Sequence, residues 1–257
     1  MTVFATWNVN SLKVRLPHLK TWIENVRPQV ISLQETKLQD RDFPADFFRD
    51  HGYHVLYSGQ KTYNGVAIAS HTPGTFINAE IPGFDDPQRR LLHARWPEFQ
   101  IVNVYVPNGA AIGSEKYTYK LNWLAALRGY LSGFLPTDLP TLVCGDFNIA
   151  PEDRDVHDPK AWEGSVLTSE PERAAFREIV ALGFKDCFRL FEQPEQSFSW
   201  WDYRRGAFRR NHGLRIDLIL GNPAAAAACG RCFIDRTPRT WERPSDHTPV
   251  LAEFTPA

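Results

Sequence analysis

Cysteine is scarce in this sequence, with four residues among 257, Cys144, Cys187, Cys229 and Cys232. Only the last two are closely spaced, in the string CGRC, and they lack the second cysteine pair or the partner histidine that would complete a zinc site. We therefore expect free thiols in a reducing cytosol.

Long apolar runs are also missing. No stretch of eighteen or more apolar residues is present to form a transmembrane helix. The first twelve residues, MTVFATWNVNSL, lack the basic and apolar regions of a secretory signal and are not an arginine-rich transit segment. We therefore expect a cytoplasmic protein that does not contact a membrane.

Several common catalytic motifs are absent from the sequence. It contains no GxGxxG, no GxxxxGK[ST], no GxSxG and no HExxH string. These absences argue against a nucleotide cofactor, a P-loop, a serine hydrolase and a zinc protease of the HExxH type.

An excess of either charge is lacking too. The 29 basic and 30 acidic side chains give a net charge of −1, whereas a general polyanion binder would be basic overall. The basic residues are unevenly distributed, because residues 203–216 hold five arginines and no acid, and 88–90 and 116–120 are further basic spots. Such a stretch either forms a rim that attracts phosphate or is a solvated loop.

The composition is otherwise that of a folded protein. Hydrophobic residues make up 43% and charged residues 23% of the chain, which excludes bulk disorder. No glycine–serine linker, charge block or low-complexity run divides the sequence. We therefore expect a single domain over residues 1–257.

Short apolar stretches alternate with segments of helical periodicity, and the later part is rich in strands. Leu19, Trp22, Ile23 and Val26 predict a helix with Pro17 in its first turn. A second helix is predicted over 117–135, and the string SEPE at 169–172 is a capping box that opens a third. The predicted strands are 3–7, 30–33, 54–57, 66–70, 91–96, 100–106, 141–144, 197–201, 215–220 and 249–254.

Polar residues stand where these apolar strands stop. Most of them could also be explained singly as a turn residue or a helix cap. Asp217 is harder to explain in this way, because it lies inside the apolar string LRIDLIL, where a carboxylate is costly to bury without a partner or a cation. Their number favours a functional site at the strand ends. The set comprises Asn8, Asn10, Glu35, Tyr105, Asn108, Asp146, Asn148, Asp217, Asp246 and His247.

These residue types select a chemistry. Carboxylate and carboxamide oxygens with few cysteine or histidine ligands suit a hard cation, Mg²⁺ or Mn²⁺, rather than zinc. A histidine beside a carboxylate donates to a phosphoryl oxygen or transfers a proton. Together they predict hydrolysis of a phosphodiester. Trp200 and Trp201, beside the arginines, either stack on exposed bases or pack in the core.

The strings WNVN, LQETK, YVPNG, GDFNIAP, HDPKAWEG, FSWWDYR, GLRIDLIL and PSDHTPV occur in this order from residue 7 to residue 250. Together they resemble the exonuclease III / AP endonuclease family of DNA-repair phosphodiesterases. The resemblance implies a four-layered α/β sandwich, in which two mixed β-sheets pack face to face and are flanked by helices. It also implies a Mg²⁺-dependent site, in which Mn²⁺ substitutes. The implied partner is double-stranded DNA with abasic sites or 3′ ends, bound by a cytoplasmic, nucleoid-associated monomer.

The resemblance also implies roles for single residues. Glu35 is the expected main metal ligand, with Asn10 and Asp246 close to the metal. Asp146 and Asn148 are expected to activate water, and His247, oriented by Asp217, to contact the phosphate. The other implied contacts are Asn8, Tyr105 and Asn108 to phosphate, Arg89, Arg90, Arg205 and Arg209 to DNA, and Trp200, Leu214 and Ile216 around a sugar without its base.

The sequence departs from the family pattern at two positions. Many relatives have aspartate where this chain has Asn10, which reduces the negative charge available to a metal. Some relatives have an arginine that penetrates the duplex where this chain has Ala111, so another residue wedges the DNA here or wedging is weaker.

Two alternatives remain open. The same fold resembles sphingomyelinases and inositol-phosphate phosphatases, which act on other phosphodiesters or phosphates, although the arginine stretch favours DNA. A catalytically inactive DNA-binding module would be expected to have lost one of Glu35, Asp146, Asn148, Asp217 or His247, and all five are present.

Overall fold

The computed structural model describes residues 2–255. Its strands are β1 Thr2–Asn8, β2 Val30–Gln34, β3 His54–Ser58, β4 Val66–Ser70, β5 Thr75–Asn78, β6 Leu91–Arg95, β7 Gln100–Tyr105, β8 Thr141–Asp146, β9 Lys185–Asp186, β10 Asp217–Gly221, β11 Cys229–Ile234 and β12 Val250–Phe254. Its α-helices are α1 Leu12–Val26, α2 Ala45–Asp50, α3 Glu115–Ser132, α4 Pro159–Trp162, α5 Glu170–Val180 and α6 Pro223–Ala228. Short 3₁₀ turns lie at Asp40–Asp42, Asp153–Asp155, Cys187–Leu190, Arg204–Gly206 and Thr237–Thr240.

The strands form two six-stranded mixed sheets, in the orders β11-β12-β1-β2-β4-β3 and β5-β6-β7-β8-β10-β9. Each sheet has one parallel pair at its centre, β1 with β2 and β7 with β8. Helix α1 connects the first pair and α3 connects the second, as parallel strands require. The two sheets therefore share one arrangement, with a central strand of each ending in a polar residue, Asn8 in β1 and Asp146 in β8.

Three apolar clusters make the layers. One lies between the sheets and includes Val66 of β4, Leu142 of β8 and Ile219 of β10. A second joins the outer face of the first sheet to α1, and a third joins the outer face of the second sheet to α3 and α5. The four-layered α/β sandwich is thus confirmed. Within residues 2–255, no helix combines the length and apolar character needed to cross a membrane.

Most predicted strands are confirmed within one or two residues, and the capping box of Ser169 and Glu172 is present at the start of α5. The predicted strand at 197–201 is wrong, since Trp200 makes only isolated bridges to Leu214 and His247. The placing of Pro17 is also wrong. Helix α1 begins at Leu12, so the proline lies inside the helix rather than in its first turn.

Other elements escaped the sequence reading for identifiable reasons. Strand β5 is an exposed edge strand without apolar alternation, β9 has only two residues, and β11 exposes Gly230 and Arg231. Trp201 packs in the core and is fully buried, whereas Trp200 is half-buried.

Arg215 belongs to the interior, although the sequence places it in the basic stretch. Its side chain is 1% exposed, and its guanidinium contacts Asp155 at 2.6 Å and Asp186 at 2.7 Å. Burial lowers the pKa of Arg215, but the two carboxylates outweigh it and raise that pKa above its usual value. The expectation that Arg215 joins the other arginines of 203–216 in attracting phosphate is therefore wrong. The residue anchors the chain just before β10 instead.

Arg215→Met should destabilise the fold by about 3–5 kcal/mol, because it leaves buried carboxylates without their cation. The measurement is the unfolding free energy from chemical denaturation. Arg204→Met is the matched control, since the pair of Arg204 with Asp202 is at the surface, and it should leave the unfolding midpoint unchanged. Equal effects of the two substitutions would contradict the buried assignment.

Candidate active site

One carboxamide bridges two carboxyl groups that come from different sheets. Asn8, the fully buried last residue of β1, donates from Nδ2 to Glu35 Oε1 at 2.9 Å and to Asp146 Oδ2 at 2.8 Å. Glu35 follows β2 in the same sheet, and Asp146 ends β8 in the other. The oxygen of the Asn8 amide accepts from the Asn10 N–H at 3.0 Å. Both ends of the Asn8 amide are therefore engaged within the protein.

The chain turns sharply at these strand ends. Asn10, Glu35, Lys37 and Asn148 all have left-handed backbones, with φ of 42°, 52°, 55° and 48°. Non-glycine residues adopt this conformation at a cost, and such residues concentrate at functional sites. Strand β8 needs glycine just before Asp146, because Gly145 has φ 138° and a Cβ there would lie 1.9 Å from the carbonyl oxygen of Val104 in the neighbouring strand.

Asp146 is enclosed by donors. Its Oδ1 accepts the Asn148 N–H at 2.9 Å, and its Oδ2 accepts from Asn148 Nδ2 at 3.3 Å in addition to Asn8. Burial raises the pKa of Asp146 to about 7, against the lowering effect of His247 and of these hydrogen bonds. A carboxyl group with a pKa near neutrality is suited to take and release a proton.

His247 lies between two carboxylates. Its Nδ1 is 2.8 Å from Asp217 Oδ2, and its Nε2 is 3.7 Å from Asp146 Oδ2. Burial lowers the pKa of His247, but the carboxylates of Asp217 and Asp146 outweigh it and raise that pKa to about 10. The imidazole is therefore a cation at neutral pH and presents N–H donors on both nitrogens.

Asp217 is fixed by its own surroundings. It is fully buried in β10, and the Ser199 hydroxyl oxygen accepts the backbone N–H of Asp217 at 3.0 Å and that of Ile216 at 3.1 Å. Its Oδ1 has no hydrogen-bond partner among residues 2–255. The loop before His247 is held to β1, since Ser245 Oγ donates to the Asn8 carbonyl at 2.8 Å.

Tyr105 and the two later asparagines border the same site. Burial, reinforced by Glu35 and Asp146, raises the pKa of Tyr105 well above its usual value, so its hydroxyl stays a neutral donor. The Arg90 guanidinium lies 4.7 Å over the Tyr105 ring and bonds to the Tyr105 carbonyl at 3.2 Å. Asn108 is exposed and donates from Nδ2 to Asn148 Oδ1 at 3.0 Å.

One cluster among the described residues offers metal ligands. Ligand atoms of Glu35, Asp146 and His247 lie within 4.8 Å of one another. A protonated His247 is not a ligand, so the available donors are carboxylate oxygens, which suit a hard cation better than zinc.

The two other expected metal residues lie to one side of this cluster. Asn10 Nδ2 donates to Asp246 Oδ1 at 2.8 Å, and Trp200 Nε1 donates to Asp246 Oδ2 at 3.0 Å. Lys37 connects them to Glu35, with Nζ at 2.9 Å from Glu35 Oε2 and at 2.5 Å from Asn10 Oδ1. Lys37 stands in the string LQETK, and its contacts with the expected ligands were missed in the sequence.

The expected sugar pocket is largely closed. The resemblance implies that Trp200, Leu214 and Ile216 surround one sugar. In the structure these three residues lie in one apolar cluster with Val156. Leu214 and Ile216, however, are at most 1% exposed, and only Trp200 is half-buried. Leu214 and Ile216 therefore lie beneath the surface in this structure.

The expected DNA-contacting arginines differ in their surroundings. Arg205 and Arg209 are exposed and have no ion pair within the described part of the chain. Arg89 pairs with Glu80, and Arg90 is held against Tyr105 and Gln88. Arg205 and Arg209 are therefore the two of these four that are free to meet an anion.

Tyr203 is a further residue that the sequence reading missed. Its hydroxyl accepts from Arg15 Nη2 at 2.9 Å and from Asn10 Nδ2 at 3.3 Å, and donates to the Pro244 carbonyl at 2.9 Å. Half of its surface is exposed. Tyr203 lies in the string FSWWDYR, but nothing local in the sequence shows that its hydroxyl reaches Asn10 and Arg15.

In the metal-free protein, His247 should remain protonated to near pH 10, and Asp217→Asn should lower its pKa. Since the pKa of His247 in the folded state exceeds the unfolded value of 6.5, its stabilising contribution is complete below about pH 6.5 and is lost as the pH rises towards 10. Histidine-ring NMR titration measures the pKa. His93 is the internal control, because burial lowers its pKa below 6.5. A His247 that titrates together with His93 would contradict the account.

Known proteins resemble this chain over almost its whole length. The exodeoxyribonuclease III of Haemophilus influenzae is 35% identical over 98% of this chain and 99% of its own length. A Neisseria 3′ phosphatase solved with a product DNA hairpin superposes with a TM-score of 0.97 at 41% identity, covering 99% of this chain and 100% of that one. An AP endonuclease from Archaeoglobus fulgidus gives 0.96 at 40% identity, covering 99% of both.

The resemblance seen in the sequence strings is thus confirmed by relatives that match almost the whole chain. A family model described as endonuclease/exonuclease/phosphatase matches residues 5–247, which span all the strand-end residues discussed above. The chain belongs to the endonuclease/exonuclease/phosphatase family.

Proposed function

We propose that this chain is a metal-dependent hydrolase of DNA phosphodiester bonds that acts in DNA repair, on abasic sites and on 3′ ends. One observation carries the proposal. Asp146 Oδ2 and His247 Nε2 lie 3.7 Å apart in one buried site, where the pKa of Asp146 is raised to about 7 and that of His247 to about 10, so a base near neutrality stands beside a cationic hydrogen-bond donor. Such pairs are typical of acid–base chemistry.

The relatives support DNA as the substrate. The three described above are an exodeoxyribonuclease, a 3′ phosphatase bound to a DNA hairpin and an AP endonuclease. The latter two are almost equally similar to this chain, at 41% and 40% identity, so the proposal covers both 3′-end and abasic-site cleavage. We further propose that residues 1–257 act as one catalytic domain, as a monomer in the cytoplasm and on the nucleoid.

The reaction needs a water, a base and a stabiliser of phosphoryl charge. Asp146 accepts a proton from the attacking water, which Asn148 helps to orient. As the water oxygen bonds to phosphorus, the bond from phosphorus to the leaving sugar oxygen breaks, and that oxygen takes a proton from solvent. His247, oriented by Asp217, donates to a non-bridging phosphoryl oxygen as charge develops there. The exposed Asn108 amide and the neutral Tyr105 hydroxyl contact the phosphate from the other side.

The contacts of Asn8 support a role other than the phosphate contact that the family resemblance implies. Its amide donates to Glu35 and Asp146 and accepts from Asn10, so it is not a free donor for phosphate. We propose that Asn8 holds the two carboxylates at a fixed separation instead.

A magnesium ion, replaceable by Mn²⁺, completes the proposal. Nucleases of this family depend on a metal, and Glu35 would hold it, with Asn10 and Asp246 close by. When bound, the ion stabilises negative charge on the phosphoryl oxygens. The Lys37 ammonium that contacts Glu35 and Asn10 would have to yield part of these contacts.

Two other functions are less well supported. A non-DNA phosphodiesterase of this fold would not need the exposed Arg205 and Arg209. An inactive DNA-binding module would not need an intact Asp146, His247 and Asp217 assembly.

The test is cleavage of a duplex with one abasic site and removal of nucleotides from the 3′ end of an intact duplex, each with Mg²⁺, with EDTA and with zinc. We expect Mg²⁺ to support cleavage of both, EDTA to abolish it and Mg²⁺ to restore it. Asp146→Asn is the inactive control. Full activity in EDTA, or no cleavage of either duplex, would refute the proposal.

The dyad of His247 and Asp217 should behave as one unit. His247→Asn should slow single-turnover cleavage by about 10² to 10³, the effect of losing one donor to a developing oxyanion. Asp217→Asn should lose much of the same factor, and the double variant should be scarcely slower than the slower single variant. Single-turnover rates at saturating enzyme measure this. Losses that multiply would show that the two residues act independently.

The exposed arginines should supply salt-dependent affinity. Arg205→Gln with Arg209→Gln should flatten the slope of log K against log salt by about 1 to 2 units, because each phosphate contact releases about one counterion. Fluorescence anisotropy with labelled duplex measures the slope. Arg41→Gln with Arg49→Gln, exposed arginines near α2, is the matched control and should leave the slope unchanged. Equal slopes for the two double variants would remove Arg205 and Arg209 from the interface.

A further inference from the structure

Lys120 is a buried cation that none of the proposed steps uses. It lies in α3, and its side chain is 0% exposed. Its ammonium donates to the Asn148 carbonyl at 2.6 Å, to the Asn108 carbonyl at 3.2 Å and to the Glu172 carboxylate. Lysine is almost never fully buried unless it is paired, and here all three of its donors are used.

The two carbonyls belong to residues of the candidate site. Asn108 follows β7 and Asn148 follows β8, and their side chains are hydrogen-bonded to each other at 3.0 Å. Asn148 also contacts Asp146 through its backbone N–H and its side-chain amide. One ammonium therefore joins the main chains of the two loops whose amides meet beside Asp146.

The local backbone depends on this connection. Asn148 has φ 48°, and Gly109 and Ala110, directly after Asn108, have φ 92° and 57°. A Cβ at Gly109 would lie 3.1 Å from Lys120 Cδ, so glycine leaves room for the lysine stem. Left-handed residues in succession persist only when their surroundings fix them, and Lys120 bonds to the Asn108 carbonyl just before this turn.

Glu172 anchors the lysine in turn. Its Oε1 accepts the Leu167 N–H at 3.0 Å, and its Oε2 accepts the Ser169 N–H at 3.1 Å in the capping box of α5. Tyr117, one turn before Lys120 in α3, bonds through its hydroxyl to Ser169 Oγ at 2.7 Å. The carboxylate is therefore held in place independently of the lysine.

We propose that Lys120, held by Glu172, is a positioning residue that sets Asn108 and Asn148 for the phosphate and the attacking water. The inference rests on the proposed function, in which these two asparagines contact the substrate. Lys120 itself touches neither substrate nor metal. Its effect should therefore appear in the rate of the bound complex and not in substrate affinity.

The main variant is Lys120→Met with Glu172→Gln, which removes both buried charges and keeps a capping-box acceptor. Leu124→Ala, one turn further along α3 and fully buried in the apolar cluster, is the matched control that destabilises the same helix without a bond to the site. All proteins are assayed on the abasic duplex well below their melting temperatures. We expect kcat to fall by about 10- to 10²-fold in the main variant, because a displaced catalytic group costs up to this factor. KM and the activity of Leu124→Ala should stay close to wild type.

A second readout does not depend on activity. In ¹⁵N-correlated NMR spectra of the free protein, the side-chain amide signals of Asn108 and Asn148 should shift or broaden in the main variant and not in Leu124→Ala. If the main variant fails to fold, Glu172→Gln alone is used, because it keeps the capping-box acceptor but removes the ion pair with Lys120. It should give smaller changes in kcat and in the same amide signals.

The outcomes separate the two proposals. Wild-type protein that cleaves no DNA would refute the proposed function, while the amide signals would still test Lys120. Unchanged kcat and unchanged amide signals in a folded Lys120 variant would overturn the positioning role. So would a loss of kcat in Leu124→Ala equal to that of the main variant, because the effect would then follow from destabilisation alone.

Discussion

The amide of Asn8 is the contact on which the rest of the site depends. It bonds to a carboxylate that follows β2 in one sheet and to a carboxyl group that ends β8 in the other, both within 2.9 Å. A buried polar group without a partner costs about 1–3 kcal/mol, so the fully buried Asn8 amide needs both carboxyl groups. Glu35 also contacts Lys37, and Asp146 also accepts from Asn148, so the Asn8 bridge adds to these contacts and ties the two carboxyl groups to each other. The turns that follow, with their left-handed residues, then bring the remaining polar groups to the same place.

Charge balance inside the site explains how it can receive a phosphate. Three carboxylates, Glu35, Asp146 and Asp217, would repel an anion if they stood alone. Each has a cation near it, since Lys37 contacts Glu35, and His247 lies between Asp146 and Asp217. The site is therefore much less negative than its carboxylates alone indicate. The same neighbours hold Asp146 and His247 in their contrasting protonation states.

The sequence predicted much of this site because apolar strands that stop at polar residues leave a local signal. Glu35 and Asp146 are found in this way, and Asp217 is found because it lies inside an apolar string; the structure brings all three together. Lys120 and Glu172 gave no such signal, since Lys120 reads as an ordinary helical residue and its partner is 52 positions away. Arg215 was misread for the same reason, as its acidic partners Asp155 and Asp186 lie far from it in sequence. Local sequence patterns show where strands end and turns begin. Ion pairs between helices, strands and loops that are distant in sequence depend on the fold, and local patterns do not reveal them.

The central claim is that strand ends from both sheets build a hard-cation site around Glu35, beside Asp146. Anomalous diffraction from crystals soaked in Mn²⁺ tests it most directly, because manganese scatters anomalously and substitutes for Mg²⁺. The account predicts an anomalous peak at coordination distance, about 2.0–2.2 Å, from a Glu35 carboxylate oxygen. A Mn²⁺ ion bound only elsewhere in the protein would contradict it. So would the absence of a peak near Glu35 when the same protein preparation cleaves DNA in the presence of Mn²⁺.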